Sequence, residues 1–506
     1  MADIVLTTFN ARYLHAAFGL RYLLANLGPA LRERAVLLEA VVGARPADVA
    51  EQVLAHAPRV VGVSVSIWNA RESLELVRVL KRVAPKVLVV VGGPEASHEV
   101  DTNPVCLAAD VVVTGDGEDA FRGVCEAALA GLPVPRRVDG GQLPLSALVL
   151  PYGEYTHHDL EHRVVYVEAS RGCPFRCAFC LSALDKGVRK GPLERILPAF
   201  EELLERGLRQ FKFVDRTFNV DLRAAEAVLT FFLDRMERYG PLFLHFELIP
   251  DRLPEPVRAL LRRFPPGSLQ LELGVQSLDP RVMAAVDRVQ DVERLEDNLR
   301  FLGAETAAHL HVDLIVGLPH ETLESFALGF DRLVGLGPHE VQVGILKRLR
   351  GMPLDGEAFG LVFAPEPPYE ILATPTLDFP AIQRLRRFSQ VWDLAWNSGH
   401  FPTALPLLGP PSFALCDALT SWLFGRLGRT HSVALGTVAE ELFEFGVARG
   451  LEAAPLGAAL AGDYTAGGRG ATPFLKRFAA PSRSAERSGA TAAPKRQARH
   501  APRVMG

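Results

Sequence analysis

Short valine-rich runs recur along most of this chain, and each is followed by an amphipathic stretch of helical period. A brief, continuous apolar run is a strand buried on both faces, which excludes a half-solvated antiparallel sheet. Alternation with helices then requires parallel strands joined by crossovers. The first series places strands at 4–7, 35–40, 60–66, 87–91 and 111–113, with helices at 16–31, 46–56, 70–83 and 118–129. It predicts an α/β module of Rossmann or flavodoxin type over residues 1–130, with five strands and ligands at their carboxyl ends. Residues 131–163, broken by Pro133, Pro135, Gly140 and Gly141, read as a linker. The second series has strands at 164–169, 210–214, 242–248, 268–275, 310–316 and 341–346. Helices near 194–206, 224–239, 254–263, 291–302 and 321–334 alternate with them. Six β/α units over 164–350 predict a partial TIM-type barrel, whose chemistry belongs at the C-terminal strand ends.

Three of the six cysteines stand as Cys173-x3-Cys177-x2-Cys180, just after the first strand of the second series. Three thiols cannot pair evenly into disulfides, and six cysteines in 506 residues make no disulfide framework. Thiolates are soft ligands suited to zinc and to iron–sulfur clusters. Structural zinc asks for four protein ligands. Here the fourth would have to be remote: Cys106, Cys125, His157 or His158. A cubane cluster held by three cysteines instead leaves one iron open.

This motif, with Phe179 before its last cysteine, resembles the cluster motif of the radical S-adenosylmethionine enzymes. The resemblance implies a [4Fe-4S] cluster on Cys173, Cys177 and Cys180. It also implies S-adenosyl-L-methionine at the open iron, cleaved reductively to a 5′-deoxyadenosyl radical, and an electron donor such as flavodoxin or ferredoxin. Strand ends would seat the S-adenosylmethionine. Asp215, in Val214-Asp215-Arg216-Thr217-Phe218-Asn219, stands where the family carries Gly-Gly-Glu. Glu272, Gln276 and Ser277 close the fourth strand of the series. Ile315, Gly317 and Glu321 match the family's G-x-I-x-G-x-x-E, with Asp313 replacing its first glycine.

The strand ends of the first module carry Asn10, then Ser64 and Ser66, then Gly92 and Gly93, then Gly115, Gly117 and Glu118. Taken together, ahead of a radical cluster motif, they resemble the cobalamin-binding domain of one class of these enzymes. Cobalamin is therefore the second cofactor implied. Leu14-His15-Ala16-Ala17-Phe18-Gly19 lacks the aspartate of the D-x-H-x-x-G cobalt-ligand motif, which implies a lower cobalt face without a protein histidine. A G-x-G-x-x-G pyrophosphate loop is also missing, which argues against a nicotinamide cofactor.

Residues 351–475 read as a Pro- and Gly-rich loop followed by helices at 381–399, 416–427 and 433–445, with Phe388, Trp392 and Trp396 as core aromatics. This part resembles the helical extension of a poorly characterised group of cobalamin-dependent radical proteins. Residues 476–506 are expected to be a disordered basic tail. The net charge of −4 gives no ground for nucleic-acid binding. No apolar stretch suits a bilayer, and Met1-Ala2-Asp3-Ile4 does not begin a signal peptide, so a cytoplasmic protein acting on a small molecule is expected. The resemblance implies a radical enzyme that transfers a methyl group to an unactivated carbon. Rearrangement or ring formation, and a non-catalytic cluster or cobalamin sensor or scaffold, are the alternatives.

Overall fold

The computed structural model describes residues 1–185, 187–466, 468–478 and 493–500. The chain divides into two units. The first comprises Met1–Phe218, Lys347–Leu354 and Phe363–Glu370; the second comprises Asn219–Leu346, Asp355–Val362 and Ile371–Gly506.

In the first unit, β1 (Ile4–Asn10), β2 (Ala35–Val41), β3 (Val60–Ser64), β4 (Leu88–Gly92), β5 (Val111–Thr114) and β6 (Arg137–Asp139) form one parallel sheet in the order β2-β1-β3-β4-β5-β6. Register starts with Ile4 opposite both Ala35 and Val60. Successive side chains point to opposite faces, and the core divides accordingly. Val5, Phe9, Val61, Val63, Val89 and Val91 pack with Val49, Val53, Leu76 and Leu80 on one face. Ile4, Leu6, Val60, Val90, Val111 and Val113 pack with Leu20, Leu24, Phe121 and Val124 on the other. Five strands were expected; β6 is the sixth. It is short, with two of its three residues exposed, and pairing with β5 rather than side-chain burial defines it. Chain direction across the sheet reverses between β1 and β3, the crevice where doubly wound folds bind ligands.

The same unit holds β7 (Val165–Val167), the two-residue ribbon of β8 (Ser170–Arg171) and β9 (Arg189–Lys190), and β10 (Gln210–Phe213), which pairs in parallel with β7. The cysteine loop runs between β8 and β9.

In the second unit, β11 (Phe243–Leu248), β12 (Leu269–Gln276), β13 (His309–Val316) and β14 (Glu340–Ile345) pair in parallel, with a register shift between Gly274 and Gln276. The asparagine Asn397 closes the edge of β14. Its side-chain oxygen accepts from the Val341 N–H at 3.0 Å and its amide donates to the Val341 carbonyl at 2.8 Å, as a neighbouring strand would. The helical part comprises Phe379–Trp392, Phe413–Leu427, Leu435–Ala448 and Ala453–Ala466. Phe388 and Trp392 meet Phe330 with ring centroids 5.0 and 4.7 Å apart, so these aromatics are core.

Of the tail expected to be disordered, residues 479–492 and 501–506 lie outside the described residues. Lys495–His500, however, is a helix. Arg496 reaches Glu340 at 2.7 Å and Asp393 at 2.5 Å. Glu340 is 2% exposed, and a buried carboxylate needs a cation, which is what orders this basic segment. Among the described residues no helix is long and apolar enough to cross a membrane.

Candidate cofactor site

A cavity of about 480 Å³ opens at the carboxyl ends of β3, β4 and β5, within the roughly 300–1,000 Å³ range of small-molecule sites. Ser64, Gly92, Gly93, Gly115, Gly117 and Glu118 line it, as expected of strand-end residues. Gly93 has φ +101°, and a Cβ there would meet the Val65 carbonyl oxygen at 2.7 Å. Gly115 has φ +72°, with the Gly141 carbonyl oxygen 2.6 Å from the same imagined atom. These two glycines therefore serve the turns that shape the wall. At Gly19, also on the wall, a Cβ would meet nothing within 4 Å.

Two expected residues stand elsewhere. Asn10 gives its amide to the His15 carbonyl at 2.8 Å and to Glu39 at 3.0 Å; it ties the end of β1 to the following loop and does not line the cavity. Ser66 is buried, its N–H donating to Asn69 at 2.8 Å. Both follow the strand-end pattern, but the Asn10 amide is taken up by the His15 carbonyl and by Glu39 of β2, and the Ser66 N–H by the turn to Asn69. His15 contacts the Tyr166 hydroxyl at 2.6 Å and is likewise absent from the cavity wall.

Opposite the glycines the wall is charged. Arg171 reaches Glu118 at 2.8 Å and Glu168 at 3.0 Å, with its guanidinium 4.4 Å from the centre of the Tyr22 ring. Arg189 pairs with Asp116. Burial pushes the Glu168 carboxyl up, and Arg171 beside it opposes that rise. Sequence reasoning missed Arg171; its place between Ser170 and Gly172, just before the first cysteine, was the available signal.

The same segment leads into the three cysteines. None is disulfide-bonded; Cys177 is buried and the other two are half-buried. At Cys173 burial raises the thiol pKa and the backbone N–H of Phe175 lowers it. Among the described residues no three His, Cys, Asp or Glu side chains converge on one ion position. Three thiols from one short loop are the donor set of a cubane that leaves one iron open, each thiolate taking its own iron. The remote zinc ligands are committed elsewhere. Cys106 and Cys125 are core residues whose thiols burial pushes up to about 11 and about 12. His158 bonds the Tyr13 hydroxyl at 2.5 Å, and His157 faces Glu161 at 3.2 Å. The donor set fits a three-cysteine cluster.

Asp215, 2% exposed, accepts from the Ala169 N–H at 2.9 Å and from the Ser170 hydroxyl at 2.6 Å. Burial pushes its carboxyl up to about 7. Its hydrogen bonds run to the start of the cysteine segment, so it shapes that segment from just beyond the end of β10; the neighbouring Arg216 lines the cavity.

The other expected contacts lie in the second unit. Glu272 meets His245 at 2.8 Å. Gln276 has φ +71°, an uncommon value for a residue with a side chain, at the register shift of β12. Ser277 is buried and its hydroxyl accepts from the Asp279 N–H at 3.2 Å. Ile315 of β13 pairs with Gly344 of β14. Gly317, at φ +89°, donates its N–H to Glu321 at 2.9 Å. Burial pushes the Glu321 carboxyl up to about 8.

Three family descriptions match this chain: the B12 binding domain over residues 4–125, the radical SAM superfamily over 167–330, and a protein family of unknown function, DUF4080, over 357–411. Among relatives, 2-(S-pantetheinyl)-carbapenam-3-carboxylate methyltransferase of Streptantibioticus cattleyicolor is 26% identical over 320 residues, covering 56% of this chain and 46% of that protein. The cobalamin-dependent radical SAM methyltransferase TokK of Streptomyces tokunonensis is 27% identical over 352 residues, covering 62% of this chain and 51% of that protein. This chain thus spans about half the length of these two relatives. In fold it resembles the cobalamin-dependent S-adenosylmethionine radical enzyme OxsB, solved with aqua-cobalamin and S-adenosylmethionine bound, at TM-score 0.63 and 13% identity, covering 94% of this chain and 83% of that one. The protein therefore joins a B12-binding domain to a radical S-adenosylmethionine domain and is homologous to cobalamin-dependent radical S-adenosylmethionine methyltransferases.

Proposed function

We propose that this chain transfers a methyl group to an unactivated carbon of a small molecule, with cobalamin in the glycine-walled cavity and a [4Fe-4S] cluster on Cys173, Cys177 and Cys180. One observation carries the reading: the cavity at the strand ends of the B12-binding domain is also lined by Ser170, Arg171 and Gly172, the residues that lead directly into Cys173. When bound, these cofactors with S-adenosylmethionine supply the radical and methyl-transfer chemistry. The protein supplies placement. Gly93 and Gly115 let the backbone turn at the cavity wall. Arg171, held by Glu118 and Glu168, keeps that wall nearly charge-balanced, so a large neutral-faced ligand meets no uncompensated ion. Asp215 fixes the start of the cysteine segment through Ala169 and Ser170. Gln276, Gly317 and Glu321 are the residues assigned to seating S-adenosylmethionine. An external one-electron donor of the flavodoxin or ferredoxin kind and a cytoplasmic setting complete the proposal.

Anaerobic reconstitution with iron, sulfide and hydroxocobalamin tests it. The expected result is a cobalamin visible spectrum on the purified protein, and 5′-deoxyadenosine on addition of S-adenosylmethionine and dithionite. An intact cluster that yields no 5′-deoxyadenosine would overturn the enzyme reading. A protein that retains no cobalamin would overturn the methyl-transfer reading.

A further inference from the structure

The loop after Gly93 carries a buried charge network that reaches the cysteine segment by a second route. Glu95 is 3% exposed. Its Oε1 accepts from Arg350 Nε at 2.9 Å and from the Tyr369 hydroxyl at 3.1 Å. Arg350 also donates Nη1 to Glu99 at 2.9 Å and Nη2 to the Tyr369 oxygen at 2.9 Å. Glu99 takes a second arginine, Arg348, at 2.6 Å. Two carboxylates and two guanidiniums thus balance, and Arg350 uses all three nitrogens in a fork that lysine cannot copy.

Both arginines belong to the strap Lys347–Leu354. Gly351, at φ +84°, lets the strap pass against His98, whose Cβ lies 2.8 Å from where a Cβ of residue 351 would sit. At its far end, Leu354 donates its N–H to the carbonyl of Ala178 at 2.9 Å. Ala178 stands between Cys177 and Cys180. One end of the strap is therefore pinned to the loop that continues the Gly92–Gly93–Pro94 wall, and the other to the backbone between two cluster ligands.

We infer that Glu95 and Arg350 are positioning residues that set the cavity wall in register with the cysteine loop through the strap Lys347–Leu354. This rests on the function proposed above, because it takes the cavity and the loop as the seats of two cofactors that must work together. Neither side chain lines the cavity, so each acts through backbone it holds. Misplacement of reacting groups by about 1 Å can cost about a hundredfold in rate.

The test uses the full chain reconstituted with iron, sulfide and hydroxocobalamin, as wild type, Arg350→Met and Arg350→Lys. Iron and cobalamin content, amide hydrogen exchange of the peptide containing Cys177–Cys180, and broadening of the cob(II)alamin paramagnetic signal by the reduced cluster are measured. In Arg350→Met the expected result is wild-type iron and cobalamin content, faster exchange in the cysteine peptide and altered broadening. Arg350→Lys should fall between the two. Unchanged exchange and broadening in Arg350→Met, with only a lowered melting temperature, would show a latch that stabilises without positioning and would overturn the inference. Absence of cobalamin from wild type would remove the functional reading alone, since exchange in the cysteine peptide still decides whether the latch reaches it. Should Arg350→Met not fold, Tyr369→Phe removes one hydroxyl from the network and is read by the same exchange measurement.

Discussion

Replacing Glu321 by glutamine should change how stability depends on pH while leaving the local hydrogen bond in place. The carboxyl is 2% exposed, accepts the Gly317 N–H at 2.9 Å, and is pushed by burial from an ordinary 4.5 up to about 8. An acid whose folded pKa is raised binds more protons folded than unfolded, so its contribution is fully present below pH 4.5 and is lost as pH rises through 8. The slope over that window is about 1.4 kcal/mol per pH unit, flattening near the folded value. Between pH 6 and 8 the loss is therefore about 2 kcal/mol. Glutamine keeps an oxygen for the Gly317 N–H and has no proton to lose. In a domain of about 150–250 residues, 2 kcal/mol is about 4–8 °C of melting temperature. Calorimetry at pH 6 and pH 8 on both proteins reads the difference of differences: wild type should lose those degrees on going to pH 8 relative to Glu321→Gln. Parallel shifts in the two proteins would refute the account of Glu321 as a buried neutral acid.

Other perturbations have equally direct readings. Cys177→Ala should abolish the cluster, seen as loss of bound iron and sulfide after reconstitution, with the far-ultraviolet circular dichroism retained. Gly93→Ala forces a side chain into φ +101° against the Val65 carbonyl; it should cost about 1–3 kcal/mol in thermal unfolding and reduce hydroxocobalamin retention on gel filtration. Asn397→Leu leaves the Val341 N–H and carbonyl without their side-chain partner, at about 1–3 kcal/mol each, and should lower the melting temperature of the second unit without altering iron content.

The strands could be read from sequence because valine runs such as Val87–Val91 have few alternatives to a doubly covered sheet. Their ends pointed to the cavity wall at Ser64, Gly92, Gly93, Gly115, Gly117 and Glu118. Asn10 and Ser66 lie off that wall, since a polar residue at a strand end satisfies either a ligand or its own neighbours, and local patterning does not distinguish the two. Strand β6 escaped notice because two of its three residues are exposed and carry no apolar signature. Long-range partners were the hardest. Arg171, Arg350 and Arg496 look alike in sequence, yet each answers a particular buried carboxylate: Glu118 and Glu168, Glu95, and Glu340. Only the fold says which acids are buried and therefore which arginines become ordered.

Asp215 has a bearing on how the metal centre is assembled. Its two carboxylate oxygens hold Ala169 and Ser170, four and three residues before the first cysteine. Those positions are held by a protein carboxylate and not by a thiolate ligand. Ordering a residue costs about 1–2 kcal/mol of backbone entropy, and here that cost is met during folding. Metal insertion is left to organise the shorter stretch that carries the thiols. Maturation should then resemble the loading of a prepared socket, reversible by chelation without unfolding the strands around it.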